Sequence, residues 1–296
     1  MRSLFLLTLL TFFYGCTAQQ THAPLAINKN DNSLLWQISG NGLRQASYLF
    51  GTFHLMCKDD IHLSEPLKMA ISNADKLYLE IDMDDPATLL AGMLLINMKD
   101  GKTLEQLYTA PEYKKVNSYF SDSLHMPLEF IKNMKPFFLE ALLYPKMMPC
   151  KNVSGVEEEL MKVAKQDKKE IKGLETMAFQ AGIFDSIPYQ EQAEALLKSI
   201  DSIEVNKKDF NTMLKVYKSQ RINEIEALFS KSESGMEAHQ DLLLNDRNKH
   251  WVSQLKEIMP STKVFVAVGA GHLVGKLGLI SLLRKEGYTL KPLLNQ

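Results

Sequence analysis

Two histidines occupy equivalent points in the sequence, each three residues after a glycine that closes an apolar run. Residues 48–51 lead to His54, and residues 264–269 lead to His272. The carboxyl ends of strands gather at one edge of an open α/β sheet, where ligands bind, so we expect both imidazoles to face one cleft. An imidazole there can move a proton or bind a metal ion. The alternative for each histidine is a hydrogen bond within its own loop.

Two glutamates lie in or directly after other apolar runs. Glu80 belongs to residues 77–81, and alternation places it on the strand face opposite the aliphatic side chains. If that strand is covered on both faces, the carboxylate requires a partner or a metal ion; if the strand is at the surface, the carboxylate faces water. Glu175 stands where a short strand gives way to a helix, a position that the helix dipole alone favours.

Arg247 lies on the apolar stripe of a helix predicted over residues 236–259. Leu243 and Trp251 flank it at a spacing of four residues, so its side chain is expected to point inward. A buried guanidinium requires an anionic partner, which can be a carboxylate, a substrate group or a reaction intermediate. The alternative is a side chain with a buried stem and a charged end that reaches the solvent.

The first 15 residues are predicted to be a signal peptide. A short basic start precedes an apolar run over residues 4–13, which is too short to span a bilayer. The run ends at Gly15-Cys16, which resembles a bacterial lipoprotein processing site and predicts a lipid on the Cys16 thiol. Residues 16–31 are then a lipidated, flexible tether, and the protein is expected to be exported and anchored in the cell envelope. Simple signal cleavage and an uncleaved membrane anchor are the alternatives.

Cys57 and Cys150 are the two cysteines that remain after Cys16. In an exported protein, two cysteines favour a disulfide, which we predict between them. The alternative is that Cys57 takes part in metal binding together with His54.

These residues are expected to be positioned by one α/β domain over residues 32–296. The chain has 296 residues, with 34 Lys or Arg against 35 Asp or Glu, and this balance of charge gives no basis for nucleic-acid binding. Strands are predicted at both ends of the chain and would form one central sheet, while a large helical insertion, about 86–259, caps the cleft. The predicted strands are residues 33–39, 47–51, 76–82, 169–173, 263–268 and 288–293, and helices outside the insertion are residues 65–73 and 275–285.

A set of motifs in this order resembles the TraB/PrgY/GumN family, which includes the Tiki metalloproteases. The resemblance covers residues 33–293 and departs from the usual family pattern at Glu157, where Asp is common, and at Asp246, where Glu is common. The motifs are Trp36-x-Ile38, Leu49-Phe50-Gly51-Thr52-Phe53-His54, Leu79-Glu80, Gly155-Val156-Glu157, Gly173-Leu174-Glu175-Thr176 with Gln180, Asp246-Arg247-Asn248 and Val268-Gly269-Ala270-Gly271-His272.

This resemblance implies an α/β core related to the erythromycin-esterase and ChaN-like proteins, in which the two Gly-x-x-His segments meet. It implies that a divalent metal ion (Mn, Co, Zn or Fe) is held by His54, Glu80 and His272. Catalytic roles are expected for Glu80, Glu175 and Arg247. The expected function is metal-dependent hydrolysis of a peptide or protein by a lipid-anchored protein. The alternatives are a non-catalytic protein that binds a peptide signal or a haem-like ligand, and a metal-free esterase with a histidine base.

Overall fold

The computed structural model describes residues 31–229 and 239–295. Within these residues the core is a six-stranded mixed sheet with the strand order β6-β4-β7-β2-β1-β8, and a separate two-stranded sheet pairs β3 with β5. The predicted α/β class is therefore confirmed. The strands are β1 Leu35–Gly40, β2 Ser47–Thr52, β3 Met56–Cys57, β4 Lys76–Ile81, β5 Val153–Ser154, β6 Glu170–Glu175, β7 Val264–Gly269 and β8 Tyr288–Pro292.

The strand directions place five carboxyl ends at one edge of the main sheet, because every strand except β1 runs in the same direction. Strands β2, β7, β4 and β6 are parallel to one another, whereas β1 is antiparallel to both of its neighbours. Parallel strands are covered on both faces and consist of nearly continuous apolar residues, and in β7 every residue before Gly269 is buried. The predicted hairpin of β1 and β2 is present, and its turn places Gly40, Asn41 and Gly42 at positive φ.

Helices cover the sheet and fill the middle of the chain. The predicted helix at residues 65–73 is confirmed, and the Ser64 hydroxyl caps it by accepting a hydrogen bond from the Leu67 amide at 3.2 Å. The helices are α1 Glu65–Asn73, α2 Pro86–Leu95, α3 Ala110–Ser118, α4 Pro136–Ala141, α5 Tyr144–Met147, α6 Val156–Gln166, α7 Met177–Asp185, α8 Tyr189–Asp201, α9 Ile203–Lys218, α10 Ile222–Phe229, α11 Asp246–Ile258 and α12 Leu279–Lys285.

Buried apolar side chains form a cluster on each face of the sheet and another inside the insertion. Helices α1, α6 and α9 cover one face, and α11 and α12 cover the other. A further cluster lies among α3, α4 and α8 and includes the fully buried Phe120 and Leu196. The segment 86–259 also contains β6, which forms an edge of the central sheet, so the insertion is tied to the core by strand pairing with β4.

Three details differ from the predicted elements. The two short strands β3 and β5 were not predicted, because two residues carry no readable periodicity. Helix α12 begins at Leu279 and not at 275, since Gly275 adopts a positive φ of 85° that a helix cannot contain. Helix α11 begins at Asp246 after a π-type turn at Asp241–Asn245, and residues 230–238 lie outside the described residues.

The predicted leader cannot be compared with the structure. Residues 1–15, Cys16 and the tether up to residue 30 all lie outside the described residues. Within residues 31–229 and 239–295, no helix combines the length and apolar character that crossing a membrane requires.

Candidate functional site

The carboxyl edge of the sheet brings the two Gly-x-x-His segments together. His54 follows β2, Glu80 is the penultimate residue of β4, and His272 follows β7. A Cβ atom placed on Gly269 would lie 3.3 Å from Glu80 Oε1, 3.6 Å from His54 Nε2 and 3.7 Å from His272 Cδ2. Because both imidazoles lie within 3.7 Å of this one point, the two histidine rings lie close to each other. The three side chains therefore converge beside Gly269, where a side chain on that residue would contact all three.

Arg247 joins the carboxylates of two strands beneath this cleft. Its Nε donates to both Glu175 oxygens at 3.0 and 3.1 Å, and its Nη2 donates to Glu175 Oε2 at 2.9 Å and to Glu80 Oε2 at 2.6 Å. Its Nη1 donates to the Leu243 carbonyl at 2.9 Å and lies 3.2 Å from His272 Nε2. All five N–H donors of a guanidinium are accounted for by these contacts. The predicted inward orientation of Arg247 is confirmed, and the alternative of a solvent-reaching charge is excluded because the side chain is buried.

Glu80 is held as a carboxylate. Burial alone would raise its pKa, but the electrostatic interactions with His272, Arg247 and His54 and the hydrogen bond from the Gly269 amide lower it to about 2. That amide donates to Glu80 Oε1 at 2.8 Å. Of the two predicted environments for Glu80, the structure shows the covered one, since the side chain is only 13% exposed and has a charged partner. The pair with Arg247 satisfies the requirement for an anion beside a buried guanidinium.

His272 is held in one tautomer by Asn248. The Asn248 side-chain nitrogen donates to the Leu277 carbonyl at 2.9 Å, which turns its Oδ1 toward His272 Nδ1 at 2.7 Å. Because an amide oxygen only accepts, Nδ1 must carry the proton, and Nε2 presents its lone pair. That lone pair faces Arg247 Nη1 and lies 3.8 Å from Glu80 Oε1.

The surroundings keep His272 uncharged. Burial lowers its pKa most, the Arg247 charge lowers it further, and the opposing attraction of Glu80 is too weak to prevent a fall to about 3. The Trp251 ring covers His272, with the two ring centroids 4.5 Å apart. The Arg247 guanidinium carbon lies 4.7 Å from the centroid of the same indole.

His54 differs from His272 in exposure and in charge. Its side chain is 70% exposed, and Nδ1 lies 2.7 Å from Glu157 Oε1, at the start of α6. Neighbouring protein atoms lower the pKa of His54, but the hydrogen bond and negative charge of Glu157, helped by Glu80, outweigh them and raise it to about 9. The other ring nitrogen of His54, Nε2, points toward Gly269.

The donor chemistry of His54, Glu80 and His272 suits a divalent metal ion, but in the arrangement that the structure shows Arg247 contacts two of the three side chains. Among residues 31–229 and 239–295, no group of three His, Cys, Asp or Glu side chains is arranged to hold a metal. Arg247 opposes metal binding in this arrangement, because it places a fixed positive charge against Glu80 and directs an N–H at the lone pair that His272 would offer. No chemical step is therefore assigned to a metal here.

Sequence reasoning assigned no role to two residues that this site contains. Glu157 orients His54, and Asn248 orients His272. Both belong to the family motifs, Glu157 to Gly155-Val156-Glu157 and Asn248 to Asp246-Arg247-Asn248. Their presence in these motifs was the sequence feature that could have indicated a role. The predicted disulfide between Cys57 and Cys150 is present, with Cα atoms 5.9 Å apart, which excludes Cys57 as a metal ligand.

Comparison with known proteins yields one family and several distant relatives. The sequence model described as the "TraB/PrgY/gumN family" matches residues 34–292. "Metalloprotease TIKI2" of Danio rerio is 27% identical over 144 residues, which cover 46% of this chain and 26% of the relative. "Metalloprotease TIKI homolog" of Amphimedon queenslandica is 21% identical, over 90% of this chain and 62% of the relative. "Uncharacterized protein YbaP" of Shigella flexneri is 24% identical, over 80% of this chain and 88% of the relative. The chain thus spans less than two thirds of either metalloprotease.

Proposed function

Because the chain belongs to the TraB/PrgY/gumN family, we propose that its cleft hydrolyses a carbonyl compound, with a peptide as the substrate class. The observation that carries this proposal is the approach of His54 Nε2, Glu80 Oε1 and His272 to one point beside Gly269. Two relatives named as metalloproteases support a peptide as substrate.

His54 is proposed as the residue that moves the proton. Its Nε2 faces the cleft, while Nδ1 is held by the Glu157 carboxylate, an arrangement that orients an imidazole for general base catalysis. In its neutral form, Nε2 would take a proton from water as the water oxygen attacks the carbonyl carbon. The resulting imidazolium would then give the proton to the leaving amine, which restores the neutral base.

Arg247 is proposed as a positioning residue in this reaction. Its five donors are bound to Glu175, Glu80, His272 and the Leu243 carbonyl, so it holds the walls of the cleft in place. Glu80 would present Oε1 to the reacting water. Glu175 accepts hydrogen bonds from Arg247 with both oxygens and would hold the guanidinium in place.

Cleavage of a peptide library by the purified protein tests the proposal. The replacement His54→Ala should lower kcat/KM by roughly 10²–10⁴-fold, the usual contribution of a positioned general base. His62→Ala is the matched control, since His62 is exposed and lies outside the cleft, and it should cleave as the wild type does. Binding of peptides without cleavage by the wild type would instead support the non-catalytic alternative.

A second candidate is the metal-dependent form of the same hydrolysis, with a divalent ion at His54, Glu80 and His272. The gathering of two imidazoles and one carboxylate around Gly269 supports it, and so do the names of the metalloprotease relatives. This candidate requires that Arg247 withdraw from His272 Nε2.

Metal content distinguishes the two candidates without any assay of activity. In the metal-dependent form, purified protein dialysed against Mn²⁺ should retain about one ion per chain, and His272→Gln should lose it. Absence of bound metal together with hydrolysis that resists a chelator would support the metal-free form.

We further propose that the protein is exported and attached to the cell envelope through a lipid on Cys16. The disulfide between Cys57 and Cys150 supports export, since such bridges persist in oxidising compartments. Replacement of Cys16 by Ala should remove lipid labelling from the protein. If the Cys16→Ala protein still carried the labelled lipid, the anchor would have to lie elsewhere.

A further inference from the structure

The disulfide lies between the two segments that carry His54 and Glu157. Cys57 follows His54 by three residues, and Cys150 precedes Glu157 by seven. The two partners of this side-chain pair are 103 positions apart in the chain, yet their atoms meet at 2.7 Å. Something other than chain proximity must therefore hold the segments together.

A small sheet next to the bridge supplies that contact. Met56 pairs with Ser154 and Cys57 pairs with Val153, as strands β3 and β5. Two further backbone hydrogen bonds extend the pairing on either side, from the Lys58 amide to the Asn152 carbonyl at 3.0 Å and from the Val156 amide to the Phe53 carbonyl at 3.1 Å.

The segments also touch directly beside the reactive side chains. A Cβ atom on Gly155 would lie 2.8 Å from the His54 carbonyl oxygen and 3.0 Å from Glu157 Oε2, so the backbone of one segment runs against that of the other. Two strands of two residues each have too few hydrogen bonds to be stable alone. A covalent link at their end compensates for this.

We propose that the disulfide of Cys57 and Cys150 is a positioning element for the His54–Glu157 pair, and that opening it releases β3 from β5 and separates the pair. A dithiol reductant would open the bridge, supplying two electrons and two protons to form two cysteine thiols while its own thiols become a disulfide. The effect on catalysis rests on the proposed function, whereas the effect on the local structure does not.

Hydrogen exchange followed by mass spectrometry tests the structural part on the full chain. In the Cys57→Ser/Cys150→Ser double variant, amides of residues 53–58 and 152–157 should exchange at least about tenfold faster than in the wild type, because their hydrogen bonds open locally. Amides of β4 and β7 should keep their protection. Unchanged exchange at 53–58 and 152–157, or equal loss of protection in the central sheet, would overturn the proposal.

Kinetics tests the catalytic part separately. The double variant should lose at least about tenfold in kcat with little change in KM, because binding surfaces remain while the proton-moving pair is displaced. Leu196→Ala, in the buried cluster of the insertion, is the control that lowers stability without touching the pair, and its kcat should be unchanged. Faster local exchange with unchanged kcat would overturn the role of the bridge in positioning the pair for catalysis. A wild type without hydrolytic activity would instead contradict the proposed function and leave the exchange result standing.

Discussion

Arg247 is the buried cation beside the carboxylates of Glu80 and Glu175. It forms ion pairs with Glu80 and Glu175, and it adds to the effect of burial in lowering the pKa of His272. A lysine in its place would offer three donors from a single nitrogen and could not span both carboxylates.

Arg247→Lys is therefore expected to lower both activity and stability. Breaking a buried ion pair leaves an uncompensated charge and costs about 3–5 kcal/mol in comparable cases, and the flexible lysine should recover only part of this. Urea denaturation measures the loss of stability, and kcat/KM in the peptide assay measures the loss of activity. Wild-type stability in this variant would mean that Glu80 and Glu175 find other partners.

Glu157→Gln tests the charge on His54. The carboxylate raises the pKa of His54 to about 9, so the fraction of neutral base, and with it kcat, should rise with pH through that value in the wild type. An amide cannot stabilise the imidazolium in this way, so the midpoint should move toward the ordinary histidine value near 6.5. A pH profile of kcat measures the shift. An unchanged midpoint would exclude His54 as the titrating group.

Among the elements, the end of β7 can lie close to Glu80, His54 and His272 because Gly269 has no side chain. Its φ of −49° is accessible to any residue, so an alanine would not strain the backbone. The added methyl carbon would lie 3.3 Å from Glu80 Oε1 and 3.6 Å from His54 Nε2, where the reacting water is proposed to bind.

Gly269→Ala should consequently fold with little loss of stability but with kcat/KM reduced by about 10²-fold, as expected when a reacting group is displaced by about 1 Å. Thermal unfolding and the peptide assay are the paired measurements. Full activity would show that the cleft beside Gly269 is not where the substrate reacts.

The sequence predicted the elements that end at the cleft, but not all of their contacts. Apolar runs predicted β2, β4 and β7, and the glycines that end β2 and β7 predicted that His54 and His272 meet beside Glu80. The role of Glu157 depends on pairing between β3 and β5, which are distant in the chain and too short to show a period. That of Asn248 depends on the Leu277 carbonyl in an irregular turn.

At the scale of the whole molecule, the buried charges link stability to pH. His272 has a folded pKa of about 3, below the ordinary value of 6.5, so as pH falls below 6.5 the unfolded chain binds a proton that the folded chain does not. Stability should therefore decrease between pH 6.5 and 3. Glu80, with its pKa lowered to about 2, adds a further loss as pH falls from 4.5 toward 2.

His272→Gln should flatten this dependence between pH 6.5 and 4.5, because it removes the group that titrates there. Urea denaturation of both proteins at intervals of pH measures the slopes. A variant that loses stability with acid as steeply as the wild type would assign the dependence to other groups.

His54 and His272, which come from opposite ends of the chain, are proposed to act in one site. The most direct measurement is kcat/KM for His54→Ala, His272→Ala and the double variant in a single peptide assay. The effects of replacing residues that act as a unit are strongly non-additive. The double variant should therefore have a kcat/KM no lower than that of the less active single variant. If the two losses instead multiply, the histidines act independently and the shared site is contradicted.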